Sequence, residues 1–138
     1  MASKALAIIA GVGPGTTYSV VLLSRNPDNY EPIVKEINAG GGKAIGISAD
    51  VSDANSVKAA FAQIEKEFPG TAAGAAVFNP SGGFVKKPFL ELTDEQFSTA
   101  IDSQAKGGFY FAKHTLPSFS RARAKHPIPD LDLYWRDG

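Results

Sequence analysis

The chain has 138 residues, with 14 Lys+Arg matched by 14 Asp+Glu, two His and no Cys. Zero net charge with mixed signs argues against a nucleic-acid binder that works by bulk attraction. The lack of cysteine excludes disulfides, thiolate metal sites and cysteine nucleophiles. Leu, Ile, Val and Phe make up about a quarter of the residues, so the chain is not of the disordered class and can build one ordinary core. The apolar run from Ala5 to Ala10 is far too short to span a membrane, and Gly11, Gly13 and Pro14 break it as a secretory leader. A cytoplasmic protein with no membrane and no nucleic-acid partner is the expectation.

Ala5 to Ala10 reads as a buried strand running into the glycine cluster Gly11-Val12-Gly13-Pro14-Gly15-Thr16-Thr17. Ser19 to Leu23 reads as a second strand, rich in β-branched residues. Pro27-Asp28-Asn29 punctuates, and Glu31 to Ala39 predicts a short helix with Pro32 in its first turn and Gly40-Gly41-Gly42 at its end. A third strand, Lys43 to Ala49, leads into Asp50-Val51-Ser52-Asp53. Val57, Phe61, Ile64 and Phe68 then share one helical face, with Ser52 or Asp53 placed to cap it and Pro69-Gly70 to stop it. Ala72 to Phe78 is a fourth strand of mostly small residues, ending in the loop Asn79-Pro80-Ser81-Gly82-Gly83. Thr93 and Gln96 form a capping box. The helix they open carries Phe97, Ile101, Ala105, Gly108, Ala112 and Leu116 at helical spacing up to Pro117. Residues 118–138 read as an irregular tail.

Strands alternating with helices predict an α/β fold with a parallel sheet of about four strands. Ligands of such sheets sit beyond the carboxyl ends of the strands. The glycine loop, Asp50 and Asn79 are all expected on that edge. A glycine-rich turn after a strand lets backbone N–H groups approach a phosphate, although a tight turn also needs glycines with no ligand present. It is not a phosphate loop of the Walker type, because Gly42-Lys43 is followed by Ala44 and Ile37 stands where the first glycine belongs. Too few residues separate Gly15 from Val20 for the crossover of about a dozen that joins parallel neighbours. Either strand two turns back as an antiparallel hairpin, or a segment is missing relative to a working ancestor.

At these residues the chain resembles the first half of a short-chain dehydrogenase/reductase. Ala10 to Thr17 is similar to that family's Thr-Gly-x-x-x-Gly-x-Gly cofactor loop, with Gly11 and Gly15 matching and Thr17 replacing the last glycine. Ala49-Asp50-Val51-Ser52 resembles the Asp-Val segment that contacts adenine. Asn79 alone is identical within the Asn-Asn-Ala-Gly segment, and Gln104-Ala105-Lys106-Gly107 resembles Asn-x-x-Gly on the dimer-forming helix. The resemblance covers roughly Lys4 to Pro117 and implies an incomplete, doubly wound Rossmann-like domain over residues 1–117 that lacks its first crossover helix. It also implies a nicotinamide dinucleotide as partner, held by Gly11, Gly13, Gly15, Thr16, Arg25, Asp50, Val51 and Asn79. Arg25 ends strand two, where NAD-preferring members carry an acid, and so suits the 2′-phosphate of NADP(H) over NAD(H). Other readings stay open: Arg25 as a solvated surface arginine, Asp50 as a cap or turn residue, and Asn79 as a turn asparagine bonded to its neighbours. A homo- or hetero-oligomer through the 93–116 helix is a further implication.

The family's chemistry is hydride transfer between nicotinamide and a carbonyl or alcohol. A tyrosine moves the proton, with its phenol assisted by a lysine four residues later. Four residues past Tyr18, Tyr30, Tyr110 and Tyr134 stand Leu22, Val34, His114 and Gly138, so no Tyr-x-x-x-Lys exists here. Tyr110 and Lys113 are one residue too close. No catalytic residue is assigned, and His114 and His126 make no metal site. The expectation is an NADP(H)-dependent oxidoreductase by resemblance, inactive as this chain, of the kind a gene-model or splicing fragment would give. The alternatives are a non-catalytic nucleotide-binding protein and a regulatory dimer partner.

Overall fold

The computed structural model describes residues 6–12, 18–80 and 85–125. Four strands, β1 (Leu6–Val12), β2 (Tyr18–Ser24), β3 (Lys43–Ser48) and β4 (Ala73–Asn79), form one sheet in the order β3-β2-β1-β4. Helices α1 (Glu31–Ala39) and α2 (Ala54–Glu67) follow β2 and β3, and α3 (Asp94–Ile101) and α4 (Gly107–Lys125) follow β4. This is the α/β, partial Rossmann-like architecture expected, and among the described residues no helix stands between β1 and β2.

One strand departs from the expected direction. β2 and β3 pair in parallel, whereas β1 is antiparallel to both of its neighbours, β2 and β4. β2, β3 and β4 therefore point one way and β1 alone points the other. Chain length explains the reversal. Val12 lies opposite Tyr18 and Ala7 opposite Leu23, the ladder of a hairpin, and the few residues between the strands are too short for a crossover. The antiparallel ladder is the one that the hairpin reading of this junction expects.

Local chemistry accounts for the helix ends. Asp53 caps α2 by accepting from the Asn55 N–H, and Thr93 and Gln96 close the predicted capping box on α3. Gly41 (φ 83°) and Gly70 (φ 64°) take the left-handed conformation after α1 and α2, where a Cβ would be strained. A π-helical turn, Asp102–Lys106, joins α3 to α4. Pro117 does not end the helix as expected. It sits inside α4, which continues to Lys125, so the change of character after Pro117 is compositional up to that point.

The main core lies between the sheet and α2 with α4. Val21, Leu23, Ile47, Ala49, Ala60, Phe68, Ala73 and Phe111 are its buried members. The aromatic rings of Phe61, Phe78 and Phe111 pack at centroid distances of 5.3 to 5.9 Å. From α4, the residues pressed into it step as Gly107, Phe111 and Thr115, all buried. The stripe picked out from spacing behaves differently, with Phe97, Ile101 and Leu116 in solvent. A π turn takes up more residues per turn than an α-helix, so a periodicity carried across residues 102–106 lands on the wrong face. On the opposite side of the sheet, the Tyr30 ring lies over Gly46, where a Cβ would stand only 2.0 Å from the ring. Leu22 is 1 % exposed, so losing a crossover helix does not leave β2 bare. Among the strand residues whose side chains are described, Val77 of β4 is an exposed large apolar one, at 49 %.

Candidate functional site

The carboxyl ends of β2, β3 and β4 make one edge of the sheet, and four predicted site positions stand on it. Arg25 directly follows β2 and is exposed; its carbonyl accepts a bond from the Ser48 hydroxyl at 3.0 Å, which ties the start of this turn to the end of β3. Asp50 follows β3. Its Oδ1 accepts from the Ser52 hydroxyl at 2.6 Å and from the Ser52 N–H at 2.9 Å, and its own N–H donates to the Ser56 hydroxyl. Burial alone would raise the Asp50 carboxyl. The two Ser52 hydrogen bonds and the Arg25 charge outweigh it and hold the carboxyl below its ordinary value. The edge thus carries a fixed carboxylate beside an exposed guanidinium. Both bonds fall on one oxygen, so the turn role foreseen for Asp50 is real and occupies half of its carboxylate.

Val51 is half-buried and meets the start of α4. A Cβ on Gly107 would stand 3.1 Å from the Val51 carbonyl oxygen and 3.3 Å from the Phe78 ring, so glycine lets α4 dock against the turn that holds Asp50. Spacing alone did not mark Gly107 as a contact residue or Ser52 as the partner of Asp50. The signal was present for Ser52, since Asp-x-Ser is the pattern of a side chain bonding its own backbone two residues on. Asn79, the last residue of β4, is exposed on the same edge and pairs with Leu6, the first residue of β1.

Gly11, the first glycine of the loop, is not on this edge. Gly11 pairs with Ser19 near the start of β2 and with Ala73 at the start of β4, so β1 delivers the chain to the amino-terminal edge. Gly13, Gly15 and Thr16 lie outside the described residues. With β1 seven residues long, its two ends are roughly 20 Å apart at about 3.3 Å per residue. The expectation that the loop, Asp50 and Asn79 share one edge is therefore overturned by the hairpin. The structure brings Arg25, Asp50, Val51 and Asn79 to one end of the sheet and places Gly11 at the other. Among the described residues β2, not a helix, is the next element after Gly11, so none of them supplies a helix N-terminus there.

Neither tyrosine whose side chain is described has a lysine four residues on: Val34 follows Tyr30 and His114 follows Tyr110. Burial, helped by the Glu31 carboxylate, raises the Tyr30 hydroxyl above its ordinary value, the wrong direction for proton transfer near neutrality. Tyr110 is half-buried on α4, while the Lys113 ammonium reaches over the Phe109 ring at 6.0 Å and the Lys106 ammonium pairs with Asp102 at 2.6 Å. Among the described residues there is no cluster of three potential metal ligands, and no helix is long and apolar enough to cross a membrane.

Comparison with known proteins agrees with this frame. The family model described as enoyl-(acyl carrier protein) reductase matches residues 15–125. An alcohol dehydrogenase from the archaeon Thermococcus sibiricus, solved with 5-hydroxy-NADP, is 27 % identical with a TM-score of 0.60, over 73 % of this chain and 42 % of its own. A 3-ketoacyl-ACP reductase from Sinorhizobium meliloti is 24 % identical with a TM-score of 0.63, over 75 % and 40 %. A metagenomic short-chain oxidoreductase solved with NADP is 19 % identical with a TM-score of 0.62, over 75 % and 46 %. The chain spans less than half the length of each of these structures. With the strand order, the Asp-Val turn on the carboxyl edge and a family match over most of its length all in agreement, the chain belongs to the short-chain dehydrogenase/reductase family of NAD(P)-dependent oxidoreductases.

Proposed function

We propose that this chain keeps the adenosine end of an NADP(H) site and does not perform the family's hydride transfer. The observation that carries the reading is the separation of the Arg25–Asp50 edge from the glycine loop by the reversed β1. Arg25 supplies an exposed cation suited to a 2′-phosphate, and the Asp50-Val51 turn supplies an acceptor and an apolar edge for adenine. Asn79 flanks them. The pyrophosphate loses its partner, because Gly11 lies at the far edge. Binding is then weak and rests on the adenosine 2′-phosphate half, and the absence of Tyr-x-x-x-Lys removes the proton donor. In this reading the protein is cytoplasmic, and residues 118–138 serve no part of the site.

Titration calorimetry with NADPH, NADH and adenosine 2′,5′-bisphosphate tests this. The expected result is similar weak affinity for NADPH and the bisphosphate, weaker affinity for NADH, and loss of the difference in Arg25→Ala. NADPH oxidation over a carbonyl panel is expected to be absent. NADPH binding much tighter than that of the bisphosphate, or turnover, would overturn the proposal.

A second reading has its own support. Phe97, Ile101, Phe109 and Leu116 are 41–64 % exposed along the α3–α4 surface, an apolar area larger than scattered surface residues explain. It suits a regulatory partner that docks on an intact relative, in line with the oligomer foreseen through residues 93–116. Co-purification with such a relative, lost in Ile101→Asp, is the expected outcome; unchanged co-purification in that variant would refute it.

A further inference from the structure

Arg25 is exposed, and among the described residues its guanidinium makes no ion pair. What holds this residue is its backbone. β2 and β3 pair in parallel up to Ser24 opposite Ser48, and two further bonds carry the pairing past that last rung. The Ala49 N–H donates to the Ser24 carbonyl at 3.1 Å, and the Ser48 hydroxyl donates to the Arg25 carbonyl at 3.0 Å. The first fixes the peptide plane before Arg25 and the second fixes the plane after it. Peptides are planar, so with both planes set the tetrahedral Cα leaves its Cβ one direction.

The neighbouring bonds do not duplicate the second of these. Ser24, buried, accepts from the Asn29 carboxamide at 2.9 Å. Asn26 Oδ1 accepts from the Asp28 N–H at 3.0 Å and opens the short 3-10 turn Pro27–Asn29. Both flanks are anchored, and among the described residues the Arg25 carbonyl depends on Ser48 alone. The Arg25 charge is felt at the Asp50 carboxyl, so the guanidinium lies toward the turn assigned to adenine. An arginine on a held backbone has less freedom to lose when it closes on a phosphate, and its planar fork needs the right aim to donate two parallel bonds.

We propose that Ser48 is a positioning residue for Arg25: its hydroxyl holds the Arg25 carbonyl, aims the guanidinium and thereby sets the preference for a 2′-phosphorylated adenosine. This inference rests on the adenosine-end reading above. Ser48 is itself exposed, so without its hydroxyl the Arg25 carbonyl turns to water at little cost to the fold.

Calorimetry of the full chain with adenosine 2′,5′-bisphosphate and adenosine 5′-monophosphate reads the contribution of the 2′-phosphate as a ratio of affinities. The expected ratio is about tenfold in the wild type and in Ser48→Thr. In Ser48→Ala it should shrink roughly threefold, with monophosphate affinity unchanged. In an Arg25→Ala background, Ser48→Ala is expected to alter neither affinity. Backbone nitrogen-15 relaxation supplies a reading without ligand, because the Asn26 N–H shares its peptide plane with the Arg25 carbonyl. That amide should lose order in Ser48→Ala and keep it in Ser48→Thr. Should the alanine variant misfold, Ser48→Val replaces it, having the shape of threonine without the hydroxyl. A wild type that binds both nucleotides alike refutes the adenosine-end reading. An Asn26 amide unchanged in Ser48→Ala refutes the hold on Arg25, whatever the nucleotides do. A ratio unmoved by Ser48→Ala, a loss shared equally by both nucleotides, or a further loss in the Arg25→Ala background would each overturn the proposal.

Discussion

The run from β2 through α1, β3 and α2 to β4 and the single strand β1 are built from similar apolar residues, yet they follow opposite rules. In the run, each strand is separated from the next by a helix long enough to carry the chain back, so β2, β3 and β4 point the same way. Their turns deliver Arg25, Asp50 and Asn79 to one edge. β1 has the same place in the strand order that a Rossmann sheet gives it, beside β2 and β4, but only five residues, 13–17, separate it from β2. It therefore enters its slot backwards. The comparison teaches that position in the sheet follows from apolar patterning, whereas direction follows from connection length. A ligand site assembled from loops depends on direction.

The largest effect on ligand binding should come from undoing the difference. Inserting a helix-forming segment of about a dozen residues between Thr16 and Thr17 supplies the minimum crossover. It is expected to turn β1 parallel and bring the glycine loop to the Arg25–Asp50 edge. NADPH affinity measured by calorimetry should then rise tenfold or more, about 1.4 kcal/mol. Unchanged affinity would mean that direction is not what separates the half-sites.

Next come changes that break the covered run. Leu22 is almost wholly buried, and Leu22→Ala is expected to cost about 3 kcal/mol, lowering the melting temperature by roughly 10 °C. Val77→Ala, on the half-exposed strand β4, should cost less than about 1 kcal/mol by the same measurement. Gly46→Ala places a Cβ inside contact distance of the buried Tyr30 ring, and the displacement should cost about 1–3 kcal/mol in denaturant titration.

Those two residues also show how far the sequence could be read. Element order, the caps at Asp53 and Thr93, and the position of Arg25 and Asp50 at strand ends were legible because each is a local signal within a few residues. The direction of β1 was legible only as a conflict, an apolar run too close to the next for a parallel pair. The exposure of Phe97, Ile101 and Leu116 was not legible, because helical spacing marks one face without saying whether anything covers it. The contact of Tyr30 with Gly46 was not either, because it links a loop to a strand across the fold. The site was half legible: the Arg25–Asp50 edge came from order of elements, while the glycine loop's edge needed the reversal that only the ladder reveals.

The smallest expected effect concerns pH. Asp50 is held below its ordinary carboxylate value in the fold, so its contribution to stability is fully present above the unfolded value near ~3.9 and is lost as pH falls through the folded value. Thermal melts of the wild type and Asp50→Asn should differ modestly at pH 7 and converge as the pH drops below about 4. A constant gap down to strong acid would show that the Ser52 turn stabilises through shape and not through charge.

The central claim is the reversal of β1, and backbone contacts in solution test it most directly. Nuclear Overhauser contacts between backbone protons of β1 and β2 should place Ala7 beside Leu23 and Val12 beside Tyr18, as the antiparallel ladder requires. Contacts placing Ala7 beside Ser19 and Val12 beside Ser24 would make β1 parallel, return the glycine loop to the edge of Arg25 and Asp50, and contradict the account.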